Sequence, residues 1–253
     1  MNTPDNQNIT IPFVYARGEF SACGKELADR LGTVFSDEIP QALFLRSDEN
    51  GLSLVSGETA VSVDFSKLLR RTNQSNPHGE LIVKAAKIKG NDNPTVIDAT
   101  AGLGEDSFIL AAAGFRVTLC EYNPVICALL EDGIERAKKT PGLSQAANRM
   151  TVYKGDSVKY MSSLNKSPDV VVLDPMFPER QKSALVKKKF QLLQQLERPC
   201  SNEEELLSAA IGVNPRKIVI KRPLKGAFLA GRKPDYSLSG KAIRYDVIFA
   251  SQG

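Results

Sequence analysis

The stretch that decides the fold of this chain is VIDATAGLGED, residues 96–106. Apolar residues run into a carboxylate at Asp98, a loop with two glycines follows, and an apolar helical pattern begins after two acids. Glycine allows a tight turn and a close approach of the backbone, and a helix start presents free N–H groups. A strand, a glycine loop and a helix in this order commonly hold a nucleoside cofactor. We therefore expect Asp98, Gly102 and Gly104 to line a cofactor site.

Strand and helix patterns alternate from residue 95 onward. We expect strands at 95–99, 116–121, 150–154, 170–173, 217–221 and 243–250, and helices at 80–89, 105–113, 124–139, 157–164 and 183–196. Repeated βα units indicate an α/β fold with a mostly parallel sheet covered on both faces. Short alternating runs at 42–45, 52–55 and 60–65 are instead typical of a small antiparallel β meander. The sequence thus predicts an N-terminal α+β region in residues 1–75 and a cofactor-binding domain in residues 76–253.

The composition of the chain is that of an ordinary globular protein, with 253 residues of which 42% are apolar and 25% charged. No run approaches the roughly 18 apolar residues of a membrane span, and the N-terminus lacks the pattern of a secretory signal. The four cysteines form no CxxC pair. We therefore expect a cytoplasmic protein with reduced thiols and no metal site.

The net charge is only +4, but the basic residues are unevenly distributed. Residues 216–233 contain seven basic residues and no acid, and a second basic cluster consists of Lys182, Lys187, Lys188 and Lys189. Basic clusters beside one site favour a polyanionic partner, because each neutralised phosphate releases counterions. Solvated helix and loop surfaces are the alternative interpretation. For Lys221 and Arg222, a phosphate contact and a solvated strand end are equally compatible with the sequence.

The residues that follow the glycine loop restrict the kind of cofactor. A dinucleotide motif would place a third glycine at position 107, where this chain has Ser107. Glu105 and Asp106 would repel a phosphate at the helix start, but they suit a cationic cofactor without phosphate. S-adenosylmethionine fits this description, and NAD fits poorly. The alternative is that both acids only stabilise the first turn of the helix.

Further cofactor contacts are expected at the ends of the next two strands. Glu121 closes the second strand, where a carboxylate can accept hydrogen bonds from both ribose hydroxyls. Tyr122 is expected along the adenine or ribose. Asp156 is expected to accept from the adenine amine, and the Ser157 N–H to donate to a ring nitrogen. Alternatively, Asp156 only caps the following helix.

A second decisive stretch is VVVLDPMFP, residues 170–178. The amine of a nucleobase is a poor nucleophile because its lone pair is delocalised into the ring. Hydrogen bonds to the Asp174 carboxylate and to a backbone carbonyl such as that of Pro175 would localise and aim that lone pair. Phe177 would stack on the base. A strand end followed by a proline turn is the structural alternative.

The only histidine, His78, lies in a polar turn. Any Ser-His-Asp or Cys-His mechanism would have to use it, and no nucleophile elbow accompanies it. The sequence therefore argues against such a hydrolase.

The motifs together resemble the bacterial 16S rRNA (guanine-N2) methyltransferases of the RsmJ family. The resemblance covers residues 79–250 well and residues 1–75 more loosely. It rests on DATAGLG at 98–104, EYNP at 121–124, DPMFP at 174–178, QKSALVKK at 181–188 and KRP at 221–223. It implies a class I methyltransferase with a Rossmann-like, mostly parallel seven-stranded sheet.

The resemblance also implies an activity, partners and a set of site residues. The expected reaction is methyl transfer from S-adenosylmethionine to a guanine near the 3′ end of 16S rRNA, as naked RNA or in the small ribosomal subunit. By position, the cofactor site would be lined by Glu105, Asp106, Glu121, Tyr122, Asp156, Ser157 and Asp174. Three rival functions stay open: a DNA or protein amide N-methyltransferase, a nicotinamide-dependent dehydrogenase, and a non-catalytic RNA-binding module. Fold alone decides none of them.

Overall fold

The computed structural model describes residues 12–74, 77–175, 192, 193, 196 and 202–250. The N-terminal region forms a five-stranded sheet in the order β2-β1-β3-β4-β5. Its elements are β1 (Phe13–Tyr15), α1 (Ser21–Leu31), β2 (Phe35–Ser36), β3 (Phe44–Asp48), β4 (Gly51–Ser56) and β5 (Thr59–Val61).

The predicted antiparallel meander is confirmed for β3, β4 and β5 only. Strand β1 pairs in parallel with both β2 and β3, so the complete N-terminal sheet is mixed. The reason is α1, which carries the chain back between β1 and β2 so that both strands run in the same direction.

The larger sheet has seven strands in the order β11-β12-β10-β9-β6-β7-β8, as expected. Its strands are β6 (Thr95–Asp98), β7 (Arg116–Glu121), β8 (Met150–Lys154), β9 (Val170–Leu173), β10 (Lys217–Pro223), β11 (Tyr236–Ser239) and β12 (Ile243–Ile248). Strands β6 to β10 all run parallel to one another, and β12 runs antiparallel to β10 and β11. Strand β11 forms where the sequence predicted only a loop.

Helices cover both faces of this sheet. They are α2 (Leu81–Ala86), α3 (Glu105–Ala112), α4 (Pro124–Lys138), α5 (Ser144–Ala147), α6 (Ser157–Ser162) and α7 (Glu203–Gly212). Helix α7 was not predicted. Most of the helix expected at 183–196 lies outside the described residues.

The hydrophobic core has one part on each face of the sheet. On one face, α2, α3 and α4 share a continuous core with the N-terminal sheet. On the other face, α6 and α7 pack against β6, β9 and β10. The ring of Phe65 stacks on that of Phe108 in α3, with centroids 4.5 Å apart. The N-terminal region therefore supports the helix that follows the glycine loop.

Candidate active site

The predicted site residues meet at the carboxyl ends of the central strands. Asp98 ends β6, Glu121 ends β7, and Asp174 directly follows β9. Between β6 and β9 the chain changes the direction in which it adds strands. Open α/β sheets bind ligands at such a switch point.

The carboxylate of Asp98 is buried and holds the glycine loop. Its Oδ1 accepts from the backbone N–H of Thr100 at 3.2 Å, and its Oδ2 accepts from the Ser107 hydroxyl at 2.6 Å. Burial raises the pKa of Asp98 to about 6, against the opposing effect of these two hydrogen bonds. Both oxygens thus have partners within the protein, so Asp98 shapes the loop.

The two glycines of the loop face different surroundings. Both have positive φ, +51° at Gly102 and +76° at Gly104. A Cβ at Gly104 would lie 2.8 Å from a side-chain carbon of Leu130, whereas a Cβ at Gly102 would have no atom within 4 Å. Gly104 therefore packs on the core, and Gly102 borders open space where a ligand can approach the backbone.

A lysine joins two acids at the centre of the site. The Nζ of Lys221 lies 2.9 Å from Asp106 Oδ2 and 2.9 Å from Asp174 Oδ2. Burial alone would lower the pKa of Lys221, but the two carboxylates outweigh it and the net pKa is raised. Lys221 is therefore a cation, and it lies between two carboxylates whose negative charge it balances.

The end of β9 is tied to the glycine loop. The backbone N–H of Asp174 donates to the hydroxyl of Thr100 at 2.6 Å. The Asp174 side chain is 37% exposed, and Pro175 is buried. The carboxylate of Asp174 is thus fixed at its base and accessible at its tip. Phe177 lies outside the described residues.

Glu121 is held at the end of β7 by its own backbone. It is 6% exposed, and its Oε1 accepts from the N–H of Asn123 at 2.8 Å. Asn123 in turn caps α4 by accepting from Val125 N–H at 2.9 Å. Tyr122, between them, is 40% exposed. This arrangement fixes the Glu121 carboxylate next to an exposed ring.

Asp156 has the capping role that the sequence left open as an alternative. Its Oδ1 accepts from the N–H groups of Val158 at 2.8 Å and Lys159 at 3.4 Å. Its side chain is exposed, and Ser157 begins α6. The N–H of Gly155 donates to the carbonyl of Glu121 at 2.8 Å, which brings this turn beside Glu121. A cofactor contact of Asp156 or Ser157 stays a prediction.

The structure gives Arg222 internal partners, whereas its RNA contact stays a prediction. Arg222 is only 4% exposed, and its Nε donates to the carbonyl of Ala227 at 2.8 Å. Its guanidinium also pairs with Glu203 at 3.4 Å, while Glu203 accepts from Ala230 N–H at 3.0 Å. Arg222 therefore links β10 to α7 and to the following loop. Because side chains alternate along a strand, Arg222 lies on the face of β10 opposite to Lys221, which is the face of Ile218 and Ile220 that α7 covers.

Lys221 is likewise engaged within the site instead of lying on a basic surface. Its side chain is 27% exposed and carries the two ion pairs described above. The other predicted RNA contacts, Lys182, Lys187, Lys188 and Lys189, lie outside the described residues.

Three residues near the site were not foreseen. Thr100 anchors the end of β9, and its position between Asp98 and Gly102 was a usable signal. Tyr245 pairs in register with Lys221 across β12 and β10, and burial raises its pKa. Arg71 forms a two-pronged ion pair with Glu80, at 3.0 and 2.6 Å. The last two depend on contacts between distant segments, which no local pattern indicates.

Within the described part of the chain, no group of three or more His, Cys, Asp or Glu side chains is placed to hold a metal ion. Over the same residues, no helix has the length and apolar character needed to cross a membrane.

Known proteins are similar to this chain in both sequence and fold. A family model described as a putative SAM-dependent methyltransferase matches residues 26–250. Ribosomal RNA small subunit methyltransferase J from Nitrosococcus oceani is 47% identical over 189 residues, which cover 73% of this chain and 74% of that protein. The protein of the same name from Pseudomonas aeruginosa is 40% identical, with 87% of each chain covered. The crystal structure of a SAM-dependent methyltransferase from Neisseria gonorrhoeae has a TM-score of 0.77 and 32% identity, covering 95% of this chain and 97% of that chain.

Proposed function

This chain belongs to the ribosomal RNA small subunit methyltransferase J family of SAM-dependent methyltransferases, and on that premise we propose the reaction that it catalyses. It transfers the methyl group of S-adenosylmethionine to the exocyclic N2 amine of a guanine near the 3′ end of 16S rRNA. The substrate is the naked RNA or the small ribosomal subunit in the cytoplasm. The observation that carries the proposal is the half-exposed Asp174 carboxylate at the switch point of the sheet, beside the glycine loop.

The residues of the site fit S-adenosylmethionine. The open space beside Gly102 allows a ligand to approach the backbone. Glu121 presents a fixed carboxylate to ribose hydroxyls, and Tyr122 presents an exposed ring to the adenosine. Asp106 and the exposed Glu105 make the start of α3 acidic, which favours a cation over a pyrophosphate. When bound, S-adenosylmethionine supplies an electrophilic methyl group.

The protein contributes to the reaction mainly by orienting the target amine. Asp174 accepts a hydrogen bond from one N–H of the amine, and the carbonyl of Pro175 accepts from the other. Both bonds lie in the plane of the base, so the lone pair is directed out of that plane. Positioning of this kind lowers a barrier by roughly 7–11 kcal/mol in ideal cases. A strong base is not required, because the proton leaves after the methyl group has been transferred.

The remaining predicted contacts serve the RNA. Phe177 stacks on the target base, which contributes about 1–3 kcal/mol per base in comparable sites. Lys182, Lys187, Lys188 and Lys189 follow the catalytic stretch and neutralise phosphates.

The experiment that tests the function is transfer of tritiated methyl from S-adenosylmethionine to small ribosomal subunits that lack their modifications. Nucleoside analysis of the product should give labelled N2-methylguanosine. Asp174→Ala should lower the rate at least about 100-fold, because the amine is no longer oriented. Asp92→Ala, in an exposed loop, is the matched control and should keep the rate of the unaltered protein.

The outcomes separate the substrate from the site. Label in DNA or in protein, but not in RNA, would keep methyl transfer and replace the substrate by that of a DNA or protein amide methyltransferase. Full methylation of guanine by Asp174→Ala would remove Asp174 from the mechanism.

A further inference from the structure

The side chains of Asp174 and Lys221 lie next to each other because of the register between β9 and β10. Leu173 of β9 and Ile220 of β10 are paired, and Asp174 and Lys221 each follow by one residue. The ammonium of Lys221 lies 2.9 Å from Asp174 and, on its other side, 2.9 Å from Asp106. An ammonium has three N–H donors. The two carboxylates take two of them, so one donor is available to a ligand that reaches Asp174.

A carboxylate beside an ammonium forms an ordered row of hydrogen-bonding groups. The row presents two acceptor oxygens from Asp174 and then a donor from Lys221. A carboxylate has about four acceptor positions, so Asp174 keeps its ion pair with Lys221 while it accepts further bonds.

We propose that Asp174 and Lys221 together read the Watson–Crick edge of the target guanine, an inference that rests on the function proposed above. The N2 and N1 of guanine each donate an N–H to the Asp174 carboxylate, and the guanine O6 accepts from Lys221. Enzymes that act on an extruded base commonly read this edge. Lys221 is then a substrate-binding residue that determines specificity, and Asp106 anchors its ammonium.

The same row of groups disfavours the other amino bases. In adenine and in cytosine, the ring nitrogen beside the amine is an acceptor and would face a carboxylate oxygen. Adenine also offers no oxygen to Lys221. A site with buried polar groups rejects a ligand that leaves those groups without partners. The side chains of Lys221 and Asp106 are only 27% and 19% exposed, so water compensates little for a missing contact.

The test compares guanine with 6-thioguanine at the position that the unaltered protein methylates. The thio base keeps the N2 amine and the N1–H but replaces O6 by a weaker acceptor. A synthetic 3′ segment carrying either base is ligated to the remaining rRNA, and kcat/KM is measured for N2 methylation. We expect the unaltered protein to prefer guanine by about 10- to 100-fold, the usual range for a hydrogen bond to a charged donor.

Lys221→Met should lower kcat/KM on guanine by a similar factor and should abolish the preference over 6-thioguanine. Lys225→Met is the matched control, because Lys225 is an exposed lysine in the loop after the same strand. It should keep the full preference. Lys221→Gln, which retains a donor but no charge, should retain part of the preference and guards against a folding defect in Lys221→Met. Binding of S-adenosylmethionine confirms that each variant is folded.

Two results overturn the proposal at different levels. If Lys221→Met and Lys221→Gln lower kcat/KM equally on both bases, Lys221 only holds Asp174 in place, and its contact with O6 is wrong. If the unaltered protein forms no N2-methylguanosine on the guanine substrate, the proposed function fails and the inference fails with it.

Discussion

The hydroxyl of Ser107 donates a 2.6 Å hydrogen bond to the buried carboxylate of Asp98, and so joins the end of β6 to the first turns of α3. Ser107 stands where a dinucleotide-binding motif has its third glycine. In this chain, the side chain at this position instead holds the glycine loop through its hydrogen bond to Asp98. The carboxyl group that accepts this bond has a raised pKa, so its ionisation affects the stability of the protein.

The stability of the protein should fall as Asp98 ionises. Burial raises the pKa of Asp98 to about 6 in the folded protein, above the value of about 3.9 in an unfolded chain. The folded state therefore binds this proton more tightly, and the contribution of Asp98 to stability declines between pH 4 and pH 6. Two pKa units correspond to roughly 3 kcal/mol.

Asp98→Asn should remove this dependence, because an amide does not ionise. Relative to the unaltered protein, the variant should gain roughly 3 kcal/mol of unfolding free energy between pH 4 and pH 7. Urea unfolding at both pH values measures the difference. A difference that stays constant with pH would show that Asp98 does not titrate in this range.

The two glycines of the loop should respond differently to alanine. Both substitutions strain a positive φ, which costs about 1–2 kcal/mol. Gly104→Ala also pushes its Cβ against Leu130 and Leu119 in the core. We expect it to lower the unfolding free energy by roughly 2–4 kcal/mol.

Gly102→Ala meets no protein atom and should lower stability by the strain alone. Its Cβ instead enters the space in which the cofactor is expected, so the affinity for S-adenosylmethionine should fall more than it does for Gly104→Ala. Thermal unfolding and calorimetric titration, performed on both variants, separate the two effects. Equal affinities would place the cofactor away from Gly102.

Arg222 should prove to be a structural residue. Arg222→Met removes a buried guanidinium that bonds Ala227 and pairs with Glu203. Because the Glu203 side chain is 30% exposed, water partly compensates it, and we expect a loss of roughly 1–3 kcal/mol. Glu203→Gln breaks the same pair from the other side and serves as the matched variant.

RNA binding distinguishes this role from the phosphate contact that the sequence allowed. The affinity of folded Arg222→Met for rRNA, and the slope of log K against log salt, should equal those of the unaltered protein. A slope reduced by about 1 would indicate that Arg222 does contact a phosphate.

Local patterns were sufficient to predict the central strands of the large sheet. Strands β7, β8 and β9 have the predicted bounds because each is a β-branched or apolar run that ends at an acid or a glycine. Helix α4 begins at Pro124, where the sequence placed it. Strand β11 was missed because it is a short edge strand with few buried residues. Helix α7 does have a start signal in the sequence, because Asn202, which caps it, is followed by three acids.

The acids of the site were predictable, but their partners were not. Asp98, Glu121 and Asp174 end strands, so parallel pairing brings them to one edge of the sheet. The contact of Lys221 with Asp106 joins residues 115 positions apart, and its contact with Asp174 depends on the register of β9 and β10. The burial of Arg222 likewise depends on distant contacts, with Glu203 of α7 and with Ala227 in the loop after β10. Sequence patterns carry the periodicity of single elements, whereas these contacts arise when the elements pack.

The carboxylate of Glu121 should act on the binding of S-adenosylmethionine and not on the chemical step. Its Oε1 accepts from the N–H of Asn123 at 2.8 Å, which fixes the orientation of the carboxylate, and we expect the ribose hydroxyls to donate to it. Glu121→Gln keeps the size of the side chain but replaces one acceptor by a donor. We expect the Kd for S-adenosylmethionine to rise about 10- to 100-fold, because a hydrogen bond to a charged acceptor is lost. At saturating cofactor, kcat on rRNA should stay within about threefold, since Glu121 does not touch the target amine. Glu135→Gln, on the exposed side of α4 where Glu135 pairs with Lys138, is the control and should change neither quantity. A lowered kcat with an unchanged Kd would contradict the assignment and would place Glu121 at the reacting atoms.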